Sequence, residues 1–337
     1  MQGKKILITG ASGFIGSFLV EGALERGMQT WAGVRKSSSK RYLQDARIHF
    51  ATLDLNNPTA LLPALEQHKE MYGGWDYVIH CAGVTKSVED AGYIRGNYDA
   101  TVNLVEGLRL AGIVPEKFIY ISSLSIVGAL REIDYTPITE QDTPRPNTIY
   151  GESKWRTEQY LHKQTDFSTV VFRPTAVYGP RDADLFLLAK SIRNHVDISA
   201  GFCRQDLTFV YVQDLVQAVF LGIEKGKAGR SYFVSDGAVY ASRDYSDLVR
   251  KELGNPWLFR FTCPLWLLYG ISFVAEKVAK CFGKVSTLNR DKYQLMKQRN
   301  WQCDISPLIE ELGYVPQYPL HKGVPATIRW YKEEKWL

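Results

Sequence analysis

The first apolar run of the chain, Ile6-Leu7-Ile8, is continuous, and after the small residues Thr9-Gly10-Ala11-Ser12-Gly13 a second set falls at helical spacing over 17 to 24. A strand buried on both faces reads as an unbroken apolar run, whereas a helix with one buried face repeats every three or four positions. The opening therefore predicts strand, loop and helix. The alternation continues with strands at 29 to 34, 48 to 53, 76 to 80 and 118 to 121, and with helices at 58 to 68 and 97 to 111. Such an order predicts an α/β fold, a doubly wound parallel sheet with ligands at the carboxyl ends of its strands. Beyond residue 181 the pattern is less regular. Residues 207 to 215 read as a return to the sheet with Asp214 at a helix start, 231 to 235 as a strand, and helical patterns follow at 242–253, 265–282, 288–296, 305–312 and 324–335. With no repeat or low-complexity linker, one compact bilobed body is expected.

Composition narrows the class. The 337 residues are 45% apolar and 23% charged, an ordinary soluble balance. A net charge of +5, spread out apart from a basic cluster at 35 to 41, lacks the basic stripe that a nucleic-acid partner requires. Met1 to Lys5 run directly into the first strand and leave no room for a signal segment, so a cytoplasmic location is expected. The five cysteines form no Cys-x-x-Cys pair. They are expected to be reduced and mostly buried, with neither a disulfide framework nor a metal site.

Candidate chemistry sits at the strand ends. Gly10, Gly13 and Gly16 lie three apart in a strand-to-helix turn, where glycines let the backbone approach a pyrophosphate held at the helix N-terminus. The second strand ends at Arg35 and Lys36 rather than at Asp or Glu, which suits a 2′-phosphate and favours NADP(H) over NAD(H). Asp54 and Leu55 follow the third strand as a contact to adenine, and the small residues Cys81, Ala82 and Gly83 follow the fourth. Ser122, Ser123 and Ser125 follow the fifth. Tyr150 and Lys154 are four apart at the head of a helix, so phenol and ammonium share one face, and a cation there lowers the phenol's pKa toward a useful general acid or base.

Thr9-Gly10-Ala11-Ser12-Gly13-Phe14-Ile15-Gly16, Asp54-Leu55, His80-Cys81-Ala82-Gly83, Ser122-Ser123 with Gly128, Tyr150-x-x-x-Lys154 and Arg173-Pro174-Thr175-Ala176-Val177-Tyr178-Gly179-Pro180-Arg181 together resemble an extended short-chain dehydrogenase/reductase. That resemblance implies a Rossmann-type domain at 1–180, with a returning segment at about 207–235, and a smaller, mainly helical substrate-binding region at 181–206 and 236–337. It implies catalysis by Ser123, Tyr150 and Lys154, with Tyr150 exchanging a proton with the substrate oxygen and Lys154 holding the nicotinamide ribose. It implies a cofactor held by Gly10, Ser12, Gly13, Phe14, Ile15, Gly16, Arg35, Lys36, Asp54, Leu55, Cys81, Ala82, Gly83, Arg173, Pro174 and Thr175 as well as the catalytic pair. Asn97 matches a helix asparagine that orders the site in relatives; a capping role reads equally well. Relatives pair as homodimers through the helices corresponding to 97–111 and 150–164.

Two departures bear on the substrate. Relatives acting on nucleotide sugars carry Asn and Arg, which hold the diphosphate, where this chain has Ala176 and Leu207, although Arg204 is a basic neighbour that could compensate. The apolar run at 264 to 275 is too short to span a bilayer and reads as a packed helix, a pocket cover or a peripheral membrane contact. This half resembles the branch of 3β-hydroxysteroid dehydrogenase-like and dihydroflavonol reductase-like enzymes. The expectation is an NADP(H)-dependent oxidoreductase interconverting an alcohol and a ketone on an apolar small molecule. The alternatives are a nucleotide-sugar epimerase, dehydratase or reductase, and a non-catalytic NADP(H)-binding protein.

Overall fold

Continuous apolar strands need cover on both faces, and the chain supplies it with two helical layers. The computed structural model describes residues 1–337. The first half runs β1 (Lys5–Thr9), α1 (Phe14–Glu25), β2 (Gln29–Val34), β3 (His49–Thr52), α2 (Pro58–Tyr72), β4 (Tyr77–His80), α3 (Asp90–Tyr93), a π-helical segment (Ile94–Asp99), α4 (Ala100–Leu110), β5 (Lys117–Ile121), α5 (Ile149–Leu161) and β6 (Thr169–Pro174). The second half follows as β7 (Ala176–Tyr178), α6 (Ala183–Arg193), β8 (Val196–Ala200), β9 (Asp206–Leu207), β10 (Phe209–Tyr211), α7 (Val212–Lys225), β11 (Ser231–Val234), β12 (Tyr240–Ala241) and α8 (Asp244–Glu252). It ends with β13 (Phe259–Cys263), α9 (Leu265–Cys281), α10 (Arg290–Lys297), α11 (Ser306–Leu312) and α12 (Leu320–Glu333).

Seven strands form one parallel sheet in the order β11-β6-β5-β4-β1-β2-β3. The order reverses between β1 and β4, so the loops after these two strands diverge and open a crevice at their carboxyl ends. One apolar layer joins α1, α7 and α11 to the sheet, another joins α2, α4 and α5 to the opposite face, and a third centres on Tyr178, Tyr245, Val324 and Ile328 in the C-terminal region. Of the segment expected to return to the sheet, β11 extends it beside β6 and α7 packs on α1, whereas β9 and β10 pair with β12 and β7 instead.

Several expectations need correction. The helix expected from 97 begins at Asp90 and passes through the π-helical segment. Asp214 lies in the first turn of α7 but caps nothing there; its buried carboxylate accepts from the N–H of Gln317 and Tyr318, both at 2.9 Å. The last helix starts at Leu320, four residues early. Only Cys263 and Cys303 are buried, while Cys203 and Cys281 are exposed. The strands β7 to β10, β12 and β13 pair only two by two and are two to five residues long, too short for a periodic signal.

The helix α5 is fixed to the sheet by a buried ion pair. Glu158 is fully buried and accepts from Arg173 Nη2 at 2.6 Å and Nε at 3.1 Å, and Ser122 Oγ donates to the same carboxylate. Removing one partner strands the other charge in the interior. Glu158→Gln is expected to lower stability by about 3 kcal/mol, and Glu158→Gln with Arg173→Met to recover part of it, as read from urea unfolding.

Candidate active site

The crevice between β1 and β4 collects the chemistry. Gly10 sits at φ +67°, where a side chain is strained, and a Cβ there would come 2.7 Å from the backbone nitrogen of Ala82. A Cβ on Gly16 would lie 2.1 Å from Gly10 O. The loop therefore folds against the start of α1 in a way only glycine allows. The N-terminus of α1 has no side-chain cap and no acidic residue in its first turn, so its N–H groups and dipole are available to an anion. Ser12, Phe14 and Ile15 line this turn half-exposed. Thr175 Oγ1, at the end of β6, is buried without a hydrogen-bond partner. Glycine cradle, uncapped helix and orphan hydroxyl fit a dinucleotide along the crevice.

Arg35 and Lys36 are exposed at the end of β2, and neither makes an ion pair, so both remain available to a phosphate. Asp54 is exposed and accepts from the Asn56 N–H, while Leu55 is held by Asn103 Nδ2 donating to its carbonyl. Arg173 departs from expectation. Its guanidinium is committed to Glu158 and lies beneath the site rather than open to a cofactor, with buried Pro174 next to it.

Tyr150 and Lys154 stand in the first turn and a half of α5. That helix starts where Thr148 Oγ1 accepts from the Gly151 N–H at 3.0 Å, and a second cap comes from far along the chain. The Asp291 carboxylate of α10 accepts from the N–H of Ile149 at 3.1 Å and of Tyr150 at 3.3 Å. Ser123 caps a short 3₁₀ turn; its Oγ accepts from the Ser125 N–H and donates to Ser125 Oγ, both at 3.1 Å. Ser122 faces the Glu158 pair instead, which leaves Ser123 as the hydroxyl beside Tyr150.

The electrostatics correct one expectation. Burial pushes the Tyr150 phenol up to about 12, and the Ser123 hydroxyl opposes that only in part. Lys154 is not among the groups that lower it; its ammonium donates to Ile121 O at 2.8 Å and stands 4.7 Å over the Tyr120 ring. Burial also pulls Lys154 down to about 8 and raises Cys81 to about 11. Lys154 Nζ would lie 3.3 Å from a Cβ on Gly83, so Cys81, Gly83 and Lys154 form one corner of the site.

Asn97 orders the site and does not cap a helix. Its Oδ1 accepts from the Val84 N–H at 2.7 Å, and its Nδ2 donates to Val84 O at 3.0 Å and to Ser153 Oγ at 2.8 Å. Ser153 in turn donates to Tyr150 O at 2.7 Å. One asparagine thus binds the loop after β4 to the Tyr150 turn.

A family model described as the NAD dependent epimerase/dehydratase family matches residues 6–235. The chain belongs to this family. It is an NAD(P)-dependent enzyme of the extended short-chain dehydrogenase/reductase type, and the match ends just after β11 joins the sheet. The chain is similar to a UDP-glucose 4-epimerase of Vibrio cholerae, at 28% identity over 96% of this chain and 94% of that one. It is also similar to a 3 beta-hydroxysteroid dehydrogenase/Delta 5-->4-isomerase of Mycobacterium tuberculosis, at 27% identity over 97% and 90%. A crystal structure of a UDP-glucose 4-epimerase with UDP-glucose from Thermotoga maritima superposes with a TM-score of 0.78 at 22% identity, covering 98% of this chain and 99% of that one. At that identity the superposition speaks for the fold.

The sequence placed His80 in a motif but gave it no role; it is fully buried at the end of β4. Thr101 Oγ1 donates its only hydrogen to Asn97 O at 2.6 Å, so it must accept from His80 Nε2 at 2.9 Å. Nδ1 is then the acceptor for Thr9 Oγ1 at 2.7 Å, and Thr9 Oγ1 accepts from the Ala82 N–H at 3.3 Å. The chain of bonds links β1, β4 and the π-helical segment and holds His80 neutral, with burial pushing its pKa down to about 3. Above pH 6.5 the folded and unfolded forms of this residue are both neutral and its contribution is complete. Below that the unfolded chain takes up a proton that the folded one refuses, and stability falls toward pH 3. Unfolding free energies at pH 7 and pH 4.5 should differ by about 2–3 kcal/mol from this residue, a difference that His80→Asn removes.

Proposed function

We propose that the enzyme is an NADP(H)-dependent oxidoreductase that interconverts a secondary alcohol and a ketone on an apolar, non-nucleotide substrate. The observation that carries the substrate class is the absence of a diphosphate grip on the substrate side. Ala176 of β7 pairs with Phe209 and Leu207 of β9 pairs with Tyr240, and neither side chain can hold a phosphate. Arg204, the neighbour that could compensate, is bound bidentately to Asp206 at 2.6 and 2.7 Å and lies 4.7 Å over the Tyr135 ring. Beside Tyr150 stands α10, which Gln205 Nε2 ties to the β9 loop by donating to Met296 O at 2.7 Å. Tyr293, Leu295 and Met296 of that helix are half-buried.

The bound nicotinamide supplies the hydride acceptor or donor. The chain's own residues handle the proton. Tyr150 Oη exchanges it with the substrate oxygen, Ser123 Oγ donates a hydrogen bond to that oxygen, and Lys154 places a charge close to Gly83 and Cys81, where the ribose would rest. Because Tyr150 is raised to about 12 in the chain alone, it favours the protonated form and is set up to deliver a proton, as ketone reduction requires.

A nucleotide-sugar substrate is the second reading, favoured by the full-length likeness to the Vibrio cholerae protein named as a UDP-glucose 4-epimerase. Calorimetry separates the two: micromolar binding of UDP-glucose would overturn the apolar reading, and none is expected. Tyr150→Phe should cut turnover by about 10²–10⁴-fold while leaving the affinity for NADPH unchanged.

The preference for NADP(H) rests on Arg35 at the end of β2. Arg35→Ala is expected to weaken NADPH by about 10–100-fold, the worth of a charge-assisted bond, and NADH hardly at all; equal losses in a fluorescence titration would refute the preference.

A further inference from the structure

The helix α9 is apolar and largely uncovered. Of its 17 residues only Leu268 and Ser272 are buried. Trp266 is 76% exposed, and Phe273, Val274 and Val278 lie on the same outward side, with Phe282 just beyond the helix at 75%. The first eleven residues, 265 to 275, contain no charge, whereas Lys277, Lys280 and Lys284 follow in close order. Across residues 264–297 six basic side chains stand against two acidic ones, a net charge of +4. The strand leading into the helix adds exposed Phe259 and Phe261, while Arg260 between them turns to Asp197 and Asp247.

We propose that α9 docks this enzyme on an anionic lipid surface, its apolar N-terminal half entering the interface and Lys277, Lys280 and Lys284 reaching the headgroups. An exposed apolar patch of this size marks a contact surface. A helix with aromatic anchors and adjacent lysines suits the boundary of a charged bilayer, where apolar burial and attraction to anionic lipid add together. No helix of the chain is long and apolar enough to cross a membrane, so α9 lies along the surface.

The docking helix is one packing layer from the chemistry. Arg290 Nη2 donates to Glu276 at 2.8 Å and Tyr269 meets Tyr293 edge-on at 5.3 Å, which fastens α9 to α10. Asp291 of α10 caps the Tyr150 turn. A lipid-dissolved substrate would therefore pass along α9 and α10 to reach Tyr150. The docking stands on the surface of α9 itself, and only this route rests on the apolar-substrate reading.

Full-length protein is to be sedimented with vesicles of phosphatidylcholine, with and without phosphatidylglycerol. Several-fold more protein should pellet with the anionic vesicles, and less as salt rises. Lys277→Glu with Lys280→Glu and Lys284→Glu should abolish the anionic preference, and Trp266→Ser with Phe282→Ser should abolish binding, at unchanged melting temperature. In the wild-type chain, phosphatidylglycerol vesicles should slow tryptic cleavage at the three lysines. The proposal fails if no vesicle binds at low salt or if neither set of substitutions changes binding. It fails equally if the chain is a dimer that Trp266→Ser with Phe282→Ser dissociates while vesicles are ignored. A chain that binds vesicles and turns over no apolar alcohol would overturn the function above and leave the docking intact; the opposite result would do the reverse.

Discussion

Glu158 is the fixed point from which the site is built. A fully buried carboxylate survives only because Arg173 and Ser122 supply charge and hydrogen bonds together. Those partners come from β6 and from the end of β5, so the ion pair determines where α5 can sit on the sheet. Glu158 lies four residues after Lys154 and eight after Tyr150, on the same face, and the functional pair is aimed by the same anchorage. Lys154 adds a second tie to β5 through Ile121 O. The helix is thus anchored at its middle, and Tyr150 and Lys154 precede that anchor.

Around this anchor the enzyme arranges polar groups whose only partners are other elements of the site. Asn97 joins the β4 loop to Ser153, and His80 joins β1 to α4. None of these bonds is local in sequence. They hold loops that would otherwise be free at the carboxyl edge of the sheet, and they do so with neutral groups that avoid the desolvation cost of charge.

The sheet and its helices were legible because apolar runs and helical spacing are strong signals, and β2 spans the residues the pattern assigns. The glycine loop and the Tyr150–Lys154 pair were legible as motifs. What was hidden follows from side-chain direction and long range. Arg173 looked available for a cofactor because nothing in the sequence revealed that Glu158 lay opposite. Asp214 looked like a cap because the residues it grips, Gln317 and Tyr318, are about a hundred positions away. One signal was present and unused: Glu158 continues the four-residue spacing of Tyr150 and Lys154, and a charge on that face needed a partner.

The capping of Tyr150 by Asp291 ties the two halves of the chain together. The glycine loop, the sheet strands up to β6 and the whole of α5 lie in the first 174 residues, yet the turn that carries the phenol is finished by a carboxylate 141 residues further on. Loss of the chain beyond residue 290 would therefore remove the carboxylate that finishes the Tyr150 turn, while every residue of the glycine loop would remain.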